Sequence, residues 1–102
     1  MRRASVFVNG VFAGILIEND DLSYLFEYSD DYQSAPVSLT MPVNQKHFEF
    51  KKFPPFFDGV LPEGSQLEAL LRQAKLDRED YFGQLVAVGS DLVGAVTVRE
   101  LK

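Results

Sequence analysis

The chain has 102 residues, of which 46% are apolar and 13% aromatic, enough for one hydrophobic core in a single small domain. Fifteen acidic against ten basic residues give a net charge of −5, and the basic side chains are scattered apart from Lys51-Lys52, which argues against direct contact with nucleic acid. With no cysteine, disulfides, thiolate metal sites and thiol nucleophiles are excluded, and the composition fits a cytoplasmic protein.

In chain order, MRRASVFVNG has two arginines but only a short apolar run, too little for a signal peptide, and no segment approaches the roughly 18 apolar residues of a membrane span, so no membrane association is expected. Residues 4–8 and 11–18 read as a hairpin around Asn9-Gly10, a pair that supplies the positive φ angles of a type I′ turn. Gly14 inside the second strand predicts a bulge or a close backbone approach. A third strand is predicted over 22–28, with Leu22, Tyr24, Phe26 and Tyr28 on one face, and a short fourth over 37–41, halted by Pro42. The fifth is expected within 91–100, with Gly94 inside it.

Two helices are expected before that last strand. The first places Leu67, Leu70, Leu71 and Ala74 on one buried stripe and starts either at Pro62 or with a capping box of Ser65 and Glu68. The second has Asp77 as N-cap, an apolar set of Tyr81, Phe82, Leu85 and Val86, and Gly89 as its stop. The fold class is therefore α+β: a mainly antiparallel, curled sheet of about five strands with two short helices inserted before the last one.

Residues with catalytic potential do not converge. His47 is the only histidine, the acidic pairs Asp20-Asp21, Asp30-Asp31 and Glu79-Asp80 fall at predicted turns or helix starts, and no glycine cluster has phosphate-loop spacing. No catalytic residue, metal or cofactor is expected. The unusual segment is FPPFFDGVLPEGSQLEALL, residues 53–71. Pro54 and Pro55 lack N–H donors and fix φ, so the rings of Phe53, Phe56 and Phe57 are held in set directions, while DGVLPEGSQ has the composition of an exposed bend carrying Val60 and Leu61. A stiff apolar corner loses little entropy on docking, which suits it to a protein partner. The residues assigned to that contact are Phe57, Asp58, Val60, Leu61, Pro62, Glu63, Gly64, Ser65, Gln66 and Leu67.

The motifs VSLTMP, FFDGVLPEG, LDREDYFG and DLVGAVTV, in this order, resemble the N-terminal subdomain of HipA-type serine/threonine kinases, the toxins of bacterial toxin-antitoxin modules. The similarity runs from about Ala4 to Val98. In those kinases the ATP-binding and catalytic residues lie in later segments, so the resemblance implies a chain without kinase activity of its own. As a free-standing domain it is similar to the HipS family of three-gene HipBST modules, which implies an antitoxin that binds a HipT-like kinase, with a HipB-like DNA-binding protein as a possible further member of the complex. Related sequences often carry a bulky aromatic where this chain has Ser65, so an inhibitory plug built on a large ring is missing here.

Overall fold

A computed structural model describes residues 1–92 and 94–101. Five strands form one antiparallel sheet: β1 (Arg2–Val8), β2 (Val11–Glu18), β3 (Tyr24–Tyr28), β4 (His47–Phe50) and β5 (Val96–Leu101), in the order β4-β3-β2-β1-β5. Three short helices lie between β4 and β5: α1 (Pro55–Asp58), α2 (Gly64–Ala74) and α3 (Tyr81–Val88). The expected fold class is thus observed, with a one-turn helix, α1, added to the two that were expected. Pro55 stands at the start of that turn, where a missing N–H costs nothing.

The β1–β2 hairpin turns through Asn9 and Gly10, both at positive φ (51° and 80°), as a type I′ turn requires. Pairing runs from Arg2 opposite Glu18 to Val6 opposite Gly14, then shifts so that Phe7 faces Phe12, leaving Ala13 as the extra residue of a bulge. Gly14 is the point of closest approach: a Cβ there would lie 2.1 Å from the carbonyl oxygen of Glu27 on β3.

Several expected boundaries are corrected. The fourth strand is His47–Phe50; the segment 37–41 makes only an isolated bridge between Ser38 and Met41. The hydroxyl of Tyr28 holds that loop from within, accepting from the Val37 N–H at 2.9 Å and donating to the Met41 carbonyl. Leu22 does not share the face of Tyr24, Phe26 and Tyr28; it sits exposed at φ 65° in a turn closed by Asp21, which accepts from the Ser23 N–H and hydroxyl. Gly94, at φ 102°, precedes β5 instead of interrupting it, and Val93 falls outside the described residues.

One face of the sheet carries the core. Ala4, Val6, Val8, Leu16, Phe26, Val96 and Val98 meet Phe57 of α1 and Phe82 and Leu85 of α3, all of them buried. Helix α3 is fastened by charge as well. Its N-cap is Asp80, not Asp77: Asp80 accepts the Gly83 N–H at 2.9 Å, while Asp77 accepts from Glu79 one turn earlier. Arg2 of β1 decides between the two acids. Its guanidinium donates to Asp80 at 2.7 Å and to Glu18 at 2.8 Å, lies 4.9 Å from the centre of the Phe82 ring, and Glu18 takes a further bond from the Tyr24 hydroxyl. At the other end Gly89 stops the helix as expected, though in a right-handed conformation; its lack of a side chain lets β5 pass, because a Cβ would lie 2.0 Å from the Val98 carbonyl oxygen.

Partial burial by itself would raise the Asp80 carboxyl, but the Arg2 hydrogen bond, the Gly83 N–H and the guanidinium charge together hold it below its ordinary value. A carboxyl depressed in the folded state contributes stability above the unfolded value near pH 4, and that contribution fades as pH falls through the folded value. Asp80→Ala is expected to cost about 1–2 kcal/mol at neutral pH from the lost cap and ion pair, and the difference from the parent should shrink in acid. Urea unfolding at pH 7 and pH 3 checks both parts; an equal deficit at the two pH values would show that the ionised carboxylate is not what matters.

Candidate functional site

The segment 53–67 is built as a buried root and an exposed bend. Phe57 is fully buried with its ring 6.3 Å from Phe26, Phe56 packs edge-on against Phe57 at 5.2 Å, and Phe53 packs edge-on against Tyr24 at 5.3 Å. Pro54 is buried as well. From this root the chain bends through successive backbone bonds: Asp58 N–H to the Pro54 carbonyl, Gly59 to Pro55, Val60 to Phe57 and Leu61 to Asp58, at 3.0–3.3 Å. The bend is therefore held by both its side chains and its backbone.

Asp58, Gly59, Glu63, Gly64, Ser65 and Gln66 are exposed, and Val60, Leu61, Pro62 and Leu67 are half-buried. Of the residues assigned to partner contact, Phe57 alone is withdrawn from the surface: its ring fills the core beneath the bend and is not available to a partner in this fold. The other nine form one continuous surface strip along the chain. Gly64, at φ 59°, opens α2 with Glu63 in the N-cap position and no side-chain cap bond. The Ser65–Glu68 capping box is thus not formed. Ser65 stands exposed in the first turn, and Glu68 instead pairs with Arg78.

Two features of this site were not anticipated. The first is an open groove lined by Val60, Leu61 and Pro62, by Val88 at the end of α3 and by Leu92 beyond it, with Glu63, Gln66 and Asp91 also in its lining. The second concerns α2. Its leucines were expected to be buried, yet the helix has no buried residue, and Leu67, Leu70 and Leu71 are all half-exposed. They are absent from the apolar residues packed on the core, whereas Val60 and Leu61 are among them.

The remaining candidates have local structural roles. His47 is an exposed β4 residue whose Nδ1 lies 3.2 Å from Glu27. Asp20 pairs with the N-terminal amine, and Asp31 accepts from Ser29. Among the described residues no group of three or more His, Cys, Asp or Glu side chains could hold a metal. Among the described residues no helix is long and apolar enough to cross a membrane.

The family model of the HipA N-terminal domain matches residues 4–99. The chain belongs to the HipA N-terminal domain family. Its structure superposes on the N-terminal domain of HipA toxin with a TM-score of 0.81 at 30% identity, covering 100% of this chain and 94% of the other. An uncharacterized protein of Haemophilus influenzae is 34% identical over 102 residues, covering 100% of this chain and 95% of that protein. The putative kinase Y4mE of Sinorhizobium fredii is 28% identical over 100 residues, but there the match covers only 24% of the relative's length. The HipA N-terminal domain lacks the kinase active site, and its similarity places this chain in a HipA-related toxin-antitoxin context.

The contrast between a packed α3 and a loosely seated α2 has a measurable consequence. Leu85→Ala, in the core, should cost about 2–5 kcal/mol, and Leu70→Ala, on the half-exposed stripe, less than about 1 kcal/mol. Denaturant midpoints of the two variants check this, and similar losses would mean that the α2 stripe supports the fold.

Proposed function

We propose that this HipA N-terminal-domain protein is a HipS-like antitoxin, a single non-enzymatic domain that binds and restrains a HipT-like serine/threonine kinase in the cytoplasm. The carrying observation is the bend at 58–66, surface-exposed and fixed from below by Phe57, with apolar side chains at its rim and the half-exposed leucines of α2 beside it. Rigid apolar surface of this kind has low ordering cost and favours protein contact over catalysis. The relatives support a role in trans: the domain occupies about a quarter of the putative kinase but nearly the whole of the Haemophilus influenzae protein.

Ser65 shapes the mode of restraint. A small exposed hydroxyl at the tip cannot fill a nucleotide cleft as a large ring would, so inhibition rests on the breadth of the corner and the α2 stripe. Contact with DNA falls to a HipB-like protein in the same complex, given the acidic composition of this chain.

A second reading has its own support. The apolar surface left half-covered along α2 equally suits a structural subunit that completes a shortened kinase without silencing it. Phosphorylation by the purified kinase with and without this protein separates the two: an antitoxin abolishes it, and a structural subunit leaves it unchanged or raises it.

For contact mapping, Leu67→Asp is the cleaner probe, because Leu61 packs partly on the core and Leu67 does not, the reverse of the sequence expectation. Leu67→Asp is expected to weaken kinase binding by at least about tenfold with an unchanged melting temperature. Calorimetric titration checks it, and parent-like affinity from a folded variant would remove α2 from the interface.

A further inference from the structure

The open groove lined by the bend at 58–66 and by the residues that end and follow α3 has a volume of about 700 Å³, within the range of binding clefts. Its apolar lining is Val60, Leu61, Pro62, Val88 and Leu92, each half-buried. Val60, Leu61 and Leu92 also pack on the core. The backbone is held as well, by the Val60 and Leu61 N–H bonds described above and by the Asp91 N–H on the Val88 carbonyl at 2.8 Å. The groove is therefore preformed. Its charged lining residues are both acidic, Glu63 on the bend and Asp91 just beyond α3, and both are exposed. Among the described residues no basic side chain lines it. Neither carboxylate enters an ion pair among those residues, whereas Glu68 pairs with Arg78 and Asp80 with Arg2.

We propose that this groove receives a segment of the partner kinase in which an apolar side chain is flanked by Lys or Arg, an inference that rests on reading the chain as the partner of a HipT-like kinase. The apolar lining takes the aliphatic or aromatic side chain, and little entropy is lost on its own side because its backbone is already set. The two acids decide what stands beside that side chain. A purely apolar segment closing over the groove strips water from two carboxylates and returns no partner for them, which costs free energy. An acidic segment adds like-charge repulsion. A basic flank removes both penalties, so the acids select their occupant by excluding others as much as by attraction. The contact thereby extends past the 57–67 segment to Val88, Asp91 and Leu92.

Calorimetric titration of a purified HipT-like kinase with the intact protein and its variants tests the proposal. Glu63→Lys/Asp91→Lys is expected to weaken binding by at least about tenfold with an unchanged melting temperature, since both positions are exposed. The near-isosteric pair Glu63→Gln/Asp91→Asn, which disturbs the fold least, should weaken it by about three- to fivefold. Asp30→Lys/Glu49→Lys makes the same change in net charge at exposed positions outside the groove and should leave the affinity within about twofold of the parent. Parent-like affinity from either folded groove pair overturns the proposal, as does an equal loss in the two lysine pairs, which would trace to net charge alone. In those cases the parent protein still binds the kinase and the reading of the chain as its partner survives. A kinase that does not bind the parent at all defeats that reading and the groove with it.

Discussion

The contact between Phe57 and Phe26 is the constraint on which the rest of the molecule depends. A five-stranded sheet of this size buries enough apolar surface only if something covers its inner face, and the covering segment is short. One turn of helix drops Phe57 onto Phe26 of β3, and the prolines at its N-terminal end prevent that turn from sliding. The bend that follows inherits its position from the ring beneath it. An exposed corner is ordinarily mobile; here its backbone bonds and its buried root leave it one shape.

A second anchor works at the other end of the same layer. Arg2, near the start of the chain, reaches Asp80, 78 positions on, and lies over Phe82. The pair is part-buried, so its value lies less in raw energy than in fixing where α3 begins. Between these anchors α2 contributes no residue to the core and is tied to the loop before α3 by the Glu68–Arg78 ion pair. Helix α2, which continues from the segment assigned to partner contact, is thus the least committed part of a layer whose two flanks are fixed, the arrangement expected of a surface kept available for another polypeptide.

Much of this was legible in the chain. Asn9-Gly10 specified the hairpin, alternation specified β1, β2 and most of β3, and the DGVLPEG composition specified a surface bend. What failed did so for identifiable reasons. VSLTM was read as a strand, but it turns back on itself, whereas Phe48 and Phe50 alternate with the outward His47 and Glu49 in the true edge strand. Asp77 has the residue type of a cap, but α3 starts three residues later at Asp80, whose carboxylate is bound by an arginine distant in the chain. The α2 leucines have the period of a buried stripe, and periodicity does not say whether the surface that buries them belongs to the same chain.

The account stands on a corner offered to a kinase from a fixed root. Hydrogen-deuterium exchange on the complex with a purified HipT-like kinase tests it most directly. Protection concentrated in peptides spanning 58–71, with the Phe57 turn already slow to exchange in the free protein, is the predicted pattern. Unchanged exchange across 58–71, with protection confined to the outer face of the sheet, would contradict it.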